Sequence, residues 1–174
     1  MQFTEPTDEA VGEPIRATIT TSCGLIVIEL DPELAPETVN SFVFLAEQGY
    51  FDGSVSHRVL PGFMMQAGDP TATGRGGPGY TVPDEFPEEG FVYQRGVVAM
   101  ANAGSGTTGS QFFIMFDTAD WLPPAYTVIG EVVEGLDVLD RIATVPLGHA
   151  PTSPDPSPST PLETVYLETV TVDR

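Results

Sequence analysis

Hydrophobic and polar positions alternate from Ile15 onward, in Ile15-Arg16-Ala17-Thr18-Ile19-Thr20 and again in Leu25-Ile26-Val27-Ile28-Glu29-Leu30, with Ser22-Cys23-Gly24 between them. Two runs of period two around a glycine-containing turn predict a β-hairpin. The period then changes. Val39, Phe42, Val43 and Ala46 recur at helical spacing, Pro36 suits a first helical turn, Glu37 favours the positive end of the helix dipole, and Gly49 stops the run, so a helix is expected over 36–48. Further strands are expected around 57–60, 63–67, 97–101, 111–115 and 128–133, then a second short helix over 136–142 after Gly135, and a last strand over 164–172. About eight strands and two helices, joined by glycine- and proline-rich connections, favour a closed antiparallel barrel or a sandwich over alternating βαβ units.

Three stretches carry no such period. Residues 1–13 are acidic and read as a loose N-terminal arm, which leaves 14–174 as a single domain. The segment 146–161 holds six prolines in sixteen residues, and only one strand follows it, too little for a second domain. It reads as a long surface loop before the closing strand. Gly74-Arg75-Gly76-Gly77-Pro78-Gly79 satisfies the spacing of a dinucleotide-binding fingerprint, but Pro78 and the following Thr81-Val82-Pro83-Asp84 prevent a helix from opening there. Without that helix the glycines have no positive dipole end to offer a pyrophosphate, and a flexible surface loop is expected.

Composition narrows the partners. The chain has 174 residues, 41% of them hydrophobic, with ten Phe, five Tyr and one Trp, enough for a core in one domain. Its 25 Asp and Glu face only six basic residues, all arginine, for a net charge of −19. Such a surface repels phosphate backbones and anionic lipid, so neither nucleic acid nor a membrane surface is an expected partner. The charge far exceeds the magnitude of about 2–8 that keeps a small domain soluble. At molar salt the Debye length is roughly 3 Å and the repulsion is screened, so the composition predicts work in a high-salt cytoplasm. No run approaches the roughly 18 apolar residues of a membrane span, and Met1-Gln2-Phe3-Thr4-Glu5-Pro6 has no basic or apolar leader character, which predicts a soluble, cytoplasmic protein. Cys23 is the one cysteine and reads as an incidental thiol; with His57 and His149 it has no metal-ligand spacing, so neither metal nor cofactor is expected.

The chemistry concentrates in Ser56-His57-Arg58-Val59-Leu60-Pro61-Gly62-Phe63-Met64-Met65-Gln66-Ala67-Gly68-Asp69, in Met100-Ala101-Asn102-Ala103-Gly104, and in Gly109-Ser110-Gln111-Phe112-Phe113-Ile114. On strands, Met64 and Gln66 share a face, as do Gln111 and Phe113. If the strands are neighbours, apolar surface lies beside fixed amides, which suits a peptide segment. A plain barrel core accounts for the Phe and Met but not for Arg58, Gln66, Asn102 and Gln111, each of which needs a partner if buried.

These blocks, with Trp121-Leu122, resemble the cyclophilin family of peptidyl-prolyl cis/trans isomerases, over about 15–172. The resemblance implies a mainly β fold, a closed eight-stranded antiparallel barrel capped by two α-helices. It implies Arg58 as the catalytic residue with Gln66 and Phe63 beside it, and Phe63, Met64, Phe113 and Leu122 around the substrate proline ring. Gln66 and Asn102 match residues that hydrogen-bond the substrate backbone, and Ala101 and Gln111 line the groove towards the preceding residues. Trp121 matches the tryptophan associated with cyclosporin, so binding of such cyclic peptides is implied. Tyr126 stands where many members have histidine and can still wall the pocket. Ser56 replaces the usual aromatic, which leaves the wall beneath Arg58 less filled and puts the rate in question.

The implied reaction asks little of the protein. Amide resonance sets a barrier near 18–20 kcal/mol to X-Pro rotation. A guanidinium that donates to the prolyl nitrogen, whose lone pair is regained in the twisted state, binds that state better than the planar ones. No proton is transferred, so His57 is expected to be a structural hydrogen-bonding residue, and the rate should be nearly flat from about pH 6 to 8. The expected protein is a monomeric isomerase acting on proline-containing polypeptides and assisting their folding. The rival reading is a non-catalytic peptide-binding or chaperone module using the same groove.

Overall fold

In the computed structural model, which describes residues 2–6, 12–151 and 153–173, the first alternating runs pair as a hairpin of β1 (Ile15–Thr21) and β2 (Gly24–Leu30). Helix α1 (Pro36–Glu47) follows, with proline in its first turn. Ala35 offers no side-chain cap; instead the carboxylate of Glu85 accepts hydrogen bonds from the backbone N–H of Glu37 at 3.2 Å and Thr38 at 2.8 Å. A carboxylate there also meets the positive end of the dipole. Then come β3 (Ser54–Val55), β4 (Arg58–Leu60), β5 (Met64–Ala67), β6 (Val97–Met100), β7 (Phe112–Met115) and β8 (Val128–Glu134). Helix α2 (Leu136–Ala143), β9 (Leu147–Gly148), β10 (Thr160–Pro161) and β11 (Tyr166–Asp173) complete the chain. No helix among the described residues is long and apolar enough to cross a membrane.

All eight expected strands and both helices form, each within two residues of the expected bounds. They form a mainly β fold with two helices, whose sheet has nine strands, in the order β3-β11-β1-β2-β8-β6-β7-β5-β4, every pair antiparallel, and curls into a half-barrel. Its edges, β3 and β4, are joined in the chain by Ser56-His57 but share no ladder among the described residues. Their backbone groups turn elsewhere, Ser56 N–H to Val165 O at 2.9 Å and Val59 N–H to Ser159 O at 2.8 Å.

Side-chain alternation divides the apolar residues between two clusters. Met65, Ala67, Val98, Met100, Phe112 and Ile114 point into the main core with α1 and α2, whereas Met64, Val97, Ala99, Phe113 and Met115 point to the opposite face with Tyr93 and Leu122. Strands with both faces covered lose the polar alternation of a half-exposed sheet. The arm is not loose at Phe3: its ring packs edge-on against Phe44 and Tyr50, and its N–H donates to Pro78 O at 2.7 Å. Residues 1 and 7–11 of the expected arm lie outside the described residues.

Candidate active site

Register assembles the site. Arg58 on β4 stands opposite Gln66 on β5, Gln66 opposite Phe113 on β7, and Phe113 opposite Ala99 on β6. Directly opposed side chains lie about 4.5–5.5 Å apart at Cβ, so one row crossing four strands sets a guanidinium, an amide and a phenyl ring side by side. The next row holds Leu60, Met64 and Met115. Between β4 and β5, Pro61 and Gly62 with φ of 76° and the Phe63 N–H to Leu60 O bond at 2.9 Å form the arrangement of a type II turn. The turn delivers Phe63 beside Met64, and Phe116 N–H holds Phe63 O at 2.8 Å.

These side chains border a cavity of about 720 Å³ walled by Phe63, Met64, Phe113, Leu122 and Tyr126 on its apolar side. Arg58 Nη1 donates to Gln66 Oε1 at 3.2 Å, Gln66 Nε2 to Gln111 Oε1 at 2.9 Å, and Gln111 Nε2 to Gly76 O at 3.0 Å. The donors all run one way, which fixes both amide orientations. On its other edge Arg58 donates from Nε and Nη2 to the two carboxylate oxygens of Asp155, at 2.8 and 2.6 Å. A second cavity of about 810 Å³ shares Gln66, Ala101 and Asn102 with the first and runs on along Gln111, Thr107, Gly109 and Ser110.

Residues 16–171 match the family model described as "Cyclophilin type peptidyl-prolyl cis-trans isomerase/CLD". The chain belongs to the cyclophilin-type peptidyl-prolyl cis/trans isomerases. It is 44% identical to the peptidyl-prolyl cis-trans isomerase B of Streptomyces anulatus over 181 residues, 94% of this chain and 99% of that one. Among solved structures it is similar to a cyclophilin type isomerase of Cryptosporidium parvum, at TM-score 0.82 and 27% identity, covering 92% of this chain and 98% of the other. The same parasite protein determined in the presence of the dipeptide Ala-Pro gives TM-score 0.81, again at 27% identity, over 91% and 99% of the two chains. This chain is accordingly a peptidyl-prolyl cis/trans isomerase of mainly β fold.

In this cyclophilin-type isomerase the proposed site residues fall together around the two cavities, with differences in what they do. Trp121 is 65% exposed and leans on Phe63 with centroids 4.9 Å apart, so its free face is open to a ligand. Leu122 is buried. Tyr126 meets Phe113 edge-on at 5.5 Å. Asn102 lines both cavities, but its amide is engaged: Nδ2 donates to Ala125 O at 2.8 Å and Oδ1 accepts from Gly104 N–H at 3.1 Å. Ser56 is buried, and its hydroxyl donates to Gln66 O at 3.0 Å, so a cross-strand hydrogen bond stands where an aromatic was expected. His57 departs from expectation: its Nδ1 is buried without a hydrogen-bond partner, and burial holds the imidazole pKa below its usual value. It walls the cavity as a neutral ring rather than acting as a hydrogen-bonded strut.

Two supporting residues escaped the sequence reading. Tyr93, fully buried, donates its hydroxyl to Tyr126 O at 2.8 Å and accepts from Tyr126 N–H at 3.1 Å, pinning the wall; burial pushes its phenol up to about 12. Asp69, also fully buried, accepts from the N–H of Thr71, Thr73, Arg75 and Gly76 at 2.8–3.1 Å. The glycine-rich segment expected to be flexible is therefore wrapped around a carboxylate. Gly76 is required at its position, because a Cβ there would overlap Asp69 Oδ1.

Proposed function

We propose that Arg58 drives the isomerisation by donating a hydrogen bond to the prolyl nitrogen as the X-Pro bond twists, while Phe63, Met64, Phe113 and Leu122 hold the ring. The observation that carries this is a guanidinium held by Gln66 at the polar rim of an apolar cavity of about 720 Å³. Gln66 is the next contact for the substrate backbone, through the N–H it does not give to Gln111. Asn102, with its amide spent on the loop, meets substrate through its main chain. Ala101 and Gln111 border the path from the proline pocket into the second cavity, where residues preceding proline would run.

The reaction rotates one bond and moves no proton, so the donor's fixed position matters more than any titration. The substrates are proline-containing polypeptides, and the role is assistance to their folding in a salt-rich cytoplasm by a monomer whose domain begins near residue 14. The exposed face of Trp121 beside the pocket suits a cyclosporin-like cyclic peptide. The half-barrel is read as the family's closed barrel with its seam at Ser56-His57.

An NMR-exchange or protease-coupled assay on a proline peptide in molar KCl tests the assignment. Arg58→Ala should lower kcat/KM by about 10²–10³, the usual effect of losing one preorganised donor. Equal rates for wild type and variant would remove Arg58 from the mechanism.

A further inference from the structure

We propose that Asp155, carried by the proline-rich segment between β9 and β10, is the positioning residue that aims the Arg58 guanidinium. The inference rests on reading Arg58 as the donor to the prolyl nitrogen. Its starting point is an allocation of hydrogen bonds. An arginine has five N–H donors in a planar fork. Asp155 takes one from Nε and one from Nη2, in the two-pronged geometry that fixes the plane of the guanidinium, and Gln66 takes one from Nη1. What remains is one N–H on each Nη nitrogen, on a group that can no longer rotate.

The carboxylate is itself fixed. In a chain with 25 acidic residues, the Asp155 side chain is only 7% exposed. Its N–H donates to Ser153 Oγ at 3.2 Å, Ser153 Oγ lies 3.1 Å from Ser159 Oγ, and Ser159 bonds through its backbone to Gly148 O and to Val59 N–H. Val59 is the neighbour of Arg58 on β4. The short β9–β10 ladder, Thr160 opposite Gly148 and Pro161 opposite Leu147, closes the base of the segment. Pro154, Pro156 and Pro158 stiffen it by limiting the conformations it loses on folding. A segment 97 residues away in the chain is thus tied to the strand that carries the arginine. The line of donors then continues from Arg58 through Gln66 and Gln111 to Gly76, so Asp155 and the Asp69-bound loop anchor its two ends.

A buried ion pair contributes little net stability once desolvation is counted, but it holds geometry well. The proposal therefore separates rate from stability. In an NMR-exchange assay on an Ala-Pro-containing peptide, Asp155→Asn should lower kcat by about tenfold to a hundredfold, as for a misplacement on the order of 1 Å, with KM within about twofold of wild type. Asp155→Glu should recover part of the loss. Because Asp155 acts through Arg58, Asp155→Asn in an Arg58→Ala background should cause no further loss. In wild-type protein the Arg58 Nε–H should exchange with water more slowly than that of the exposed Arg16, a readout that stands even if the variants fold poorly. A folded Asp155→Asn with unchanged or faster kcat overturns the proposal, as does a further loss in the double variant or an Arg58 Nε–H that exchanges as fast as Arg16. If instead Arg58→Ala alone keeps wild-type activity, the assignment of Arg58 fails, and Asp155 with it.

Discussion

Asp69 presents no surface to solvent, yet four backbone N–H groups converge on its carboxylate. Those bonds and the Thr71 hydroxyl outweigh the cost of burial and hold its pKa below the ordinary value, while the Arg58 guanidinium pulls that of Asp155 down to about 2. A carboxylate whose pKa is lower folded than unfolded contributes stability above its unfolded value, near 4, and loses that contribution as pH falls through the folded value. Melting temperature in molar KCl should therefore fall between about pH 4 and 2, and Asp69→Asn should flatten that slope. The same variant should cost at least about 1–3 kcal/mol at neutral pH, since an amide leaves buried donors without an anion, and should loosen Gln111 through Gly76. A variant melting like wild type at pH 7 would show the loop to be held by other contacts. At this scale the candidate site was partly legible. Arg58, Gln66 and Phe113 lie on strands whose period puts them on one face, and the motif blocks named them. Asp69 sits within a quoted block but shows its role only through loop conformation, and Asp155 meets Arg58 across a separation of 97 residues that no local pattern reports.

Elements of seven or more residues were readable because their periods are long enough to count: β1, β2, β8, β11, α1 and α2 each follow the expected pattern. The two-residue strands β3, β9 and β10 contain no period, and they decide that the sheet ends at Ser56-His57 and that the proline-rich segment folds back on β4. Capping by Glu85 was invisible for a related reason, since the carboxylate comes from 48 residues beyond Glu37. This cap carries a prediction. Glu85→Ala removes the acceptor for the Glu37 and Thr38 N–H groups and for the Thr38 hydroxyl at 2.7 Å. The loss should be about 0.5–2 kcal/mol, or roughly 2–4 °C in melting temperature per kcal/mol for a chain of this size. Because α1 packs on the core face of the sheet and not on the cavity, kcat at a temperature where the variant is folded should be unchanged. A rate loss without a stability loss would place Glu85 in the catalytic machinery instead.

Across the whole molecule the charge divides unevenly. Among the described residues, the first cavity is bordered by Arg58, Arg75 and His57 with Asp155 as its one acidic residue, and the second by Arg75 with no acidic residue. Arg16, Arg58, Arg95 and Arg141 each lie within 3.6 Å of a carboxylate, and with 25 acidic residues against six arginines in the chain, acidic groups outnumber cations over the remaining surface. Their mutual repulsion opposes the compact state and acts over a Debye length that shrinks from about 30 Å at 0.01 M to roughly 3 Å at 1 M salt. Melting temperature at pH 7 should therefore rise steadily from low to molar KCl. Isomerase activity at a temperature near the low-salt midpoint should rise with it, because the folded fraction grows. Well below that midpoint, kcat on an uncharged proline peptide should depend little on salt: the residues around the proline ring carry no charge, and the Arg58–Asp155 pair is too buried to be screened like surface charge. Circular-dichroism melts and exchange rates over the same KCl series separate the two effects. A midpoint that stays constant across the series would mean that the acidic surface is tolerated without screening, and the high-salt reading of the composition would fall.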